Sequence, residues 1–237
     1  MLTASQPRQR VQDYYVVREC PEEIGDYWAP RADPDGVMRN RDTDEERRQY
    51  IEDMADEIDF VNDVGGSVLD FGAGLGWFLD ALTMPLRTAI ESCPVARERL
   101  IKKYWVWHGL DFVDQTQDVV IAHHVFEHLE NPVASIREIH RILRTGGYLI
   151  LGTPDFASPC AKRFGDNYRM LHDPTHRSLF TLESMHRFLR DHGFTILDVK
   201  FPFPQRYATV ENFMRWNDTS RVSPPWPGNH VTYYCQR

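Results

Sequence analysis

The 237-residue sequence predicts an α/β fold: a doubly wound, mostly parallel sheet with helices on both faces and a final antiparallel strand. Short apolar runs alternate with helical patterns from residue 66 onward, and a glycine-rich turn follows the first of these runs. Alternation of this kind predicts parallel strands, which need helical crossover connections. An alternating run near the end of the chain predicts the antiparallel strand.

The first 40 residues contain proline, charged and aromatic residues without a steady period, so we expect an irregular N-terminal arm. The remaining residues, 41–237, are expected to form one domain. Aromatic residues of the arm need a surface to cover, and they predict either a lid over a site or a small satellite core. They include Tyr14, Tyr15, Tyr27 and Trp28.

Helices and strands can be placed along the domain in order. Thr43 can cap a helix with an acidic first turn, and its apolar residues follow at steps of three and four. Gly193 closes a helix capped by Thr181, and a proline-rich stretch at about 201–229 predicts an insertion. Strands are predicted at 68–71, 86–90, 104–107, 118–122, 148–151, 194–199 and 230–235, and helices between them at 77–82, 95–103 and 132–143.

Composition limits the classes of function that fit this sequence. A hydrophobic fraction of 42% supports a sizeable core, and a net charge of −8 disfavours nucleic acid as a partner. Arg137, Arg141 and Arg144, at roughly helical spacing, are expected to form a solvated face. The four cysteines form no C-x-x-C pair, which fits a cytoplasmic protein without a disulfide framework. A run of about 18 apolar residues is missing, so we expect no membrane insertion.

A glycine-rich turn, Asp70-Phe71-Gly72-Ala73-Gly74-Leu75-Gly76, follows the first strand and precedes a helix. Glycines let the main chain approach a ligand closely, and the helix N-terminus favours an anionic group. Dinucleotide-binding turns need a third glycine where Trp77 stands. The G-x-G-x-G pattern therefore disfavours a nicotinamide cofactor.

The turn resembles motif I of the class I S-adenosylmethionine-dependent methyltransferases. Residues 118–154 are similar to the fourth strand, helix and fifth strand of small-molecule and ubiquinone-pathway members, and the resemblance covers about residues 66–200. It implies a Rossmann-like fold and an S-adenosylmethionine cofactor. It also implies that Glu91 accepts hydrogen bonds from the ribose and that Asp111 helps to read the adenine. The expected cofactor residues are Asp70, Gly72, Ala73, Gly74, Gly76, Glu91, Asp111 and His123.

Histidines and a carboxylate follow the fourth strand, where parallel sheets place ligand sites. If residues 125–129 form a helical turn, His124, Glu127 and His128 share one face. A second group, His172 and His176, comes later in the chain. Both groups could converge on one site.

Three interpretations of this cluster stay open. Glu127 and His128 could fix the loop and contact the methionine end of the cofactor. His128 or His176 could be the catalytic base, since imidazole titrates near neutral pH. A divalent metal could be held by His124, Glu127, His128 and His176. The spacing resembles E-x-x-E-H of metal-dependent small-RNA 2′-O-methyltransferases, although His124 replaces the first glutamate.

Together these features predict an S-adenosylmethionine-dependent methyltransferase that acts on an oxygen or nitrogen of a small-molecule acceptor. One alternative is metal-assisted methylation of an RNA or sugar hydroxyl. A second alternative is a non-catalytic module that binds the cofactor or a partner.

Overall fold

The computed structural model describes residues 10–20, 28–33, 36 and 38–237. The predictions for Tyr27 and for the other residues of the arm outside these ranges are therefore not addressed. The strands are β1 (Arg10–Val11), β2 (Val16–Val17), β3 (Arg31–Ala32), β4 (Met38–Arg39), β5 (Ser67–Phe71), β6 (Leu86–Ile90), β7 (Trp105–Trp107), β8 (Gln117–His123), β9 (Leu143–Pro154), β10 (Ser178–Leu179), β11 (Thr195–Lys200) and β12 (His230–Gln236). The α-helices are α1 (Asp44–Asp53), α2 (Ala55–Val64), α3 (Trp77–Ala81), α4 (Pro94–Leu100), α5 (Pro132–Ile142), α6 (Pro159–Phe164), α7 (Leu182–Asp191) and α8 (Val210–Trp216).

The central sheet has seven strands in the order β11-β12-β9-β8-β5-β6-β7. Strands β5 to β9 pair in parallel within it, and β12 lies antiparallel to both β9 and β11. The predicted fold class is therefore confirmed. The chain runs outward from β5 to β7 and then returns to β8, so the strand order reverses between β5 and β8, where ligands bind in such sheets.

Alternating side chains of the strands bury into two separate cores, one on each face of the sheet. In β5, Leu69 belongs to one core and Val68 to the other. The core around Leu69 includes apolar residues of α5 and α7, whereas the core around Val68 includes residues of α2, α3 and α4. Helices thus cover both faces, as the sequence predicts.

The helix predicted from residue 43 is two helices, α1 and α2, with Met54 between them. Thr43 caps α1 as expected, because its side chain accepts from the Glu46 N–H at 3.1 Å. None of the α1 residues is buried, whereas Ile58 and Val61 of α2 bury against the sheet. Helix α1 contacts α3 and helix α2 contacts β8, and both pack on the same core.

The N-terminal arm is more regular than its composition suggests. Strands β1 and β2 form a small sheet with β10, and β3 pairs with β4. The segment 201–229 contains a 3₁₀ turn, Gln205–Tyr207, and helix α8, and its other residues are irregular. Within the described residues, none of the helices is both long and apolar enough to cross a membrane.

Candidate functional site

The glycine turn, residues 70–76, joins β5 to α3 at the carboxyl edge of the sheet. Gly72 and Gly74 have φ angles of 88° and 52°, in the left-handed region that favours glycine. A Cβ on Gly72 would lie 2.4 Å from Val125 Cγ2, and one on Gly74 would lie 2.5 Å from Trp28 Cζ2. These glycines are therefore required by both conformation and space.

Main-chain hydrogen bonds hold the turn against the next strand. The N–H groups of Gly72 and Ala73 both donate to the Ile90 carbonyl, at 2.8 and 3.0 Å. Gly76 then precedes α3 with a φ of 80° and donates to the Ala73 carbonyl at 2.9 Å. The turn is thus fixed in shape by its own main chain.

Glu91 follows β6 and contacts the glycine turn directly. Its Oε2 accepts from the Gly74 N–H at 2.6 Å, and its Oε1 accepts from the Cys93 N–H at 2.7 Å. Each carboxylate oxygen has a second lone pair that can accept from a ligand hydroxyl. The carboxylate expected to bind ribose is therefore held in place by two main-chain donors.

Two ionisable groups lie below this edge, Asp70, which is buried, and His123, which is half-buried. Burial and, to a smaller extent, the negative charge of Glu91 raise the pKa of Asp70 to about 7. Burial lowers the pKa of His123 to about 3, with His124 adding to the effect. Its Nε2 is buried without a hydrogen-bond partner in the described part of the chain, so it offers a polar contact to a ligand.

Asp111 lies in the loop between β7 and β8 with its side chain exposed. The neighbouring Phe112 is buried, and its ring centroid is 4.5 Å from that of Trp107. This loop thus presents a carboxylate next to an aromatic pair.

A cluster of histidines begins at His124, the residue directly after β8. His124 is a non-glycine residue with a φ of 53°, a strained conformation of the kind that concentrates at functional sites. Its N–H donates to the Gly152 carbonyl at 2.9 Å, and its Nδ1 lies 3.0 Å from Glu127 Oε1. Main chain and side chain together hold the strained residue.

Glu127 is completely buried within a 3₁₀ turn, Phe126–His128. The Thr153 hydroxyl donates to its Oε2 at 3.2 Å. Burial by itself would raise the pKa of Glu127, but the hydrogen bond from His124 and the nearby imidazoles lower it to about 2. The site therefore holds a buried carboxylate anion.

His128 is oriented by a chain of hydrogen bonds. Its Nδ1 lies 2.8 Å from the Thr175 hydroxyl, which donates to Asp173 Oδ1 at 2.6 Å. Since the hydroxyl proton goes to the aspartate, Nδ1 of His128 must be the donor. This tautomer places the lone pair on Nε2.

His176 packs beside His128 with ring centroids 4.8 Å apart. Its Nδ1 is 2.7 Å from the Met170 carbonyl, which can only accept, so Nε2 again carries the lone pair. Burial lowers the pKa of His176 below its ordinary value. The imidazole is therefore neutral near pH 7 and able to accept a proton or bind a cation.

The structure brings together three of the four predicted metal ligands. One ligand atom each from Glu127, His128 and His176 lies within 4.8 Å of the others. His124 is not a member of this group, because it precedes the 3₁₀ turn in a left-handed conformation and its Nδ1 bonds to Glu127 instead. The set of four metal ligands therefore stays a prediction, of which the structure groups three members.

His230 is a member of the cluster that the sequence did not reveal. Its ring lies 4.9 Å from that of His124 at 90°, and its Nδ1 is buried without a partner among the described residues. Burial lowers its pKa well below the ordinary value. The alternating pattern predicted the strand that begins here, but only its pairing with β9 places His230 at this edge.

The arm contacts the loop that carries His176. The Arg18 guanidinium donates to the carbonyls of Leu171 and Asp173 at 2.7 and 2.8 Å, and Arg31 lies 3.6 Å from the Asp173 carboxylate. The arm therefore helps to position the histidine cluster, and its Trp28 lies against Gly74 of the glycine turn.

Comparisons with known proteins agree with this architecture. Residues 44–199 match a family model described as a methyltransferase domain. An uncharacterized methyltransferase of Schizosaccharomyces pombe is 41% identical over 53 residues, which are 22% of this chain and 19% of that protein. Malonyl-acyl-carrier-protein O-methyltransferase 1 of Coxiella burnetii is 22% identical over 129 residues, which are 50% of this chain and 45% of that protein. The chain thus spans about a fifth and slightly less than half of these curated relatives.

Among solved structures, a SAM-dependent methyltransferase from Archaeoglobus fulgidus is similar with a TM-score of 0.61 and 16% identity. The match covers 81% of this chain and 94% of that one. The family model covers more than half of the chain, and the sheet order and the glycine turn fit it. The chain therefore belongs to the methyltransferase-domain family and carries the fold of S-adenosylmethionine-dependent methyltransferases.

Proposed function

We propose that this domain binds S-adenosylmethionine along the edge formed by β5, β6 and β8 and methylates an oxygen or nitrogen of a small-molecule acceptor. The observation that carries the proposal is the Gly74–Glu91 hydrogen bond at 2.6 Å, which joins the glycine turn to the ribose-binding carboxylate. The turn leaves no room for a larger side chain at Gly72 or Gly74, which fits a cradle for a closely approaching ligand.

Different cofactor residues contact different parts of the ligand in this proposal. Main-chain groups at Gly72, Ala73, Gly74 and Gly76 face the methionine portion, with Asp70 and His123 beneath. Glu91 accepts from the ribose hydroxyls, and Asp111 faces the adenine. When bound, S-adenosylmethionine supplies an electrophilic methyl group on a sulfonium, which needs alignment with an acceptor lone pair more than it needs covalent catalysis.

His128 and His176 are the groups proposed to handle the acceptor proton. A hydroxyl acceptor must lose its proton as the new bond to carbon forms, and an Nε2 lone pair can take it. Thr175 and Asp173 hold the His128 tautomer, and the Met170 carbonyl holds that of His176. The buried Glu127 anion stabilises positive charge that develops on either imidazole.

Binding of S-adenosylhomocysteine, measured by calorimetry, tests the proposal. Glu91→Ala should weaken binding by about 100-fold, because two charged acceptors are lost from the ribose site. Glu98→Ala, an exposed carboxylate on α4, is the matched control and should bind like the wild type. Equal affinity of wild type and Glu91→Ala would contradict the proposal, and detectable turnover would eliminate a purely non-catalytic module.

A second candidate is metal-assisted methylation of an RNA or sugar hydroxyl. Glu127, His128 and His176 offer one carboxylate and two imidazoles within 4.8 Å. The Nδ1 contact of each histidine to a protein oxygen resembles the outer hydrogen bonds that orient metal-binding imidazoles. These residues fit a divalent cation by donor type.

Chelation separates the two candidates. Activity that falls at least tenfold in chelator and returns on adding a divalent ion would support the metal site. Full activity in chelator would contradict the metal site, and proton removal by a histidine without a metal would remain as the mechanism. A separate sample that receives chelator already saturated with calcium controls for effects of the chelator itself.

A further inference from the structure

The loop between β7 and β8, residues 108–116, has no helix or strand of its own. It nevertheless carries Asp111, the residue expected to read the adenine. A loop without main-chain ladders depends on side chains from elsewhere for its shape. The contacts that hold this loop therefore bear on recognition of the cofactor.

Arg141, at the end of α5, supplies those contacts. Its Nη1 donates to the Phe112 carbonyl at 2.8 Å and its Nη2 to the Leu110 carbonyl at 3.1 Å. These two carbonyls lie on either side of Asp111. The same guanidinium also contacts the Asp114 carboxylate.

The guanidinium is itself fixed from the helix side. Glu138, one turn earlier in α5, accepts from Arg141 Nε at 2.9 Å and from Nη2 at 2.7 Å. The Arg141 carbonyl accepts from the Gln115 N–H at 3.1 Å, and Gln115 has a left-handed φ of 55°. Side chain and main chain of one residue thus attach both ends of the loop to α5.

This arrangement corrects the expectation of a solvated arginine face. Arg141 is engaged by the loop, and Arg144 lies in β9 rather than in the helix, with its guanidinium 2.6 Å from Asp118. Arg137 keeps the expected exposed position on α5. The three arginines therefore have different roles despite their spacing.

We infer that Arg141 is a positioning residue for adenine recognition, because it fixes the carbonyls on both sides of Asp111. Only a planar fork with several donors can bond to Leu110, Phe112 and Glu138 at once. The inference deepens the proposed function and rests on the adenine role of Asp111. It assigns specificity for the base to a residue that does not contact the cofactor.

The test compares two ligands in calorimetry, S-adenosylhomocysteine and S-inosylhomocysteine, in which an oxo group replaces the adenine amino group. Arg141→Met retains the aliphatic stem but loses every donor. We expect it to bind S-adenosylhomocysteine about tenfold more weakly and to lose most of the preference over the inosine analogue, because the reading groups are no longer held. Arg137→Met, the matched control, should change neither value.

A second variant, Arg141→Lys, keeps the inference testable if Arg141→Met does not fold. A lysine ammonium keeps the charge but lacks the planar fork that bonds to Leu110, Phe112 and Glu138 together. The preference between the two ligands should therefore again decrease, and amide hydrogen exchange in residues 110–114 should accelerate. A folded variant that keeps wild-type affinity and preference would overturn the inference. Failure of the wild type to bind S-adenosylhomocysteine would instead contradict the proposed function.

Discussion

The two ends of the candidate site are built differently. The centre of the proposed cofactor end, the glycine turn 70–76 with Glu91, is made from residues close in sequence and largely from main-chain groups. The acceptor end is made from side chains of 124–128, 153, 173–176 and 230, which meet only in the folded sheet. A local sequence pattern can therefore predict the cofactor end, whereas the acceptor end depends on which strands are neighbours in the sheet.

The buried carboxylates sharpen this contrast. Asp70, at the cofactor end, is buried near the negative charge of Glu91. Burial, together with that charge, raises the pKa of Asp70 to about 7. Glu127, at the acceptor end, is equally enclosed, but histidines surround it and lower its pKa to about 2. The same chemical group is thus held close to neutral at one end and as an anion at the other.

The largest expected effect is a loss of turnover on substitution of His128, at the acceptor end, without a matching loss of cofactor affinity. His128→Ala should reduce turnover by about 10²- to 10⁴-fold, the usual contribution of a general base. Its affinity for S-adenosylhomocysteine should remain within about threefold of the wild type, because the glycine turn and Glu91 are untouched. Release of S-adenosylhomocysteine with an acceptor found by screening measures turnover, and calorimetry measures affinity.

His172→Ala is the matched control for this prediction. His172 is exposed and bonds to the Asp166 carbonyl, away from Glu127 and His176. It should retain wild-type turnover. A His128→Ala enzyme that binds the cofactor product poorly but keeps its turnover would break the division of the site into two ends.

A smaller effect, on stability, tests the electrostatic contrast. In wild-type protein the unfolded chain ionises Asp70 near pH 3.8 and the folded chain near pH 7, so stability falls as pH rises between these values. Asp70→Asn removes this loss of stability. The free energy of unfolding of Asp70→Asn, relative to that of the wild type, should therefore increase from pH 4 to pH 7, by at most about 4 kcal/mol. Urea denaturation at several pH values measures it.

Glu127→Gln should show the opposite dependence. Because the folded pKa of Glu127 is depressed, its carboxylate stabilises the wild type above about pH 4.5, and this stability is lost as the pH falls toward 2. The variant should therefore be less stable than the wild type at neutral pH and approach it in acid. Parallel pH profiles for the two variants would contradict the proposed difference between the two ends.

Local chemistry explains what the sequence predicts well. Strand β6 lies at the predicted residues 86–90, and α5 begins at Pro132 as expected for a proline in the first turn. The G-x-G-x-G turn adopts left-handed glycine conformations that follow from residue type alone. The separate roles of Arg137, Arg141 and Arg144 do not follow from their spacing, because they depend on where the helix ends and on what packs against it.

The sequence by itself determined the α/β class, the glycine turn with Glu91, and the family resemblance, because these depend on short-range periodicity and on residues a few positions apart. Tertiary structure alone decided that Thr175 and Asp173 orient His128, that the His230 ring lies beside that of His124, and that His124 bonds to Glu127. The contact between His128 and Thr175 joins residues 47 positions apart, that between His124 and His230 joins residues 106 positions apart, and the His124–Glu127 contact depends on a single left-handed residue. None of the three leaves a periodic signal in the sequence.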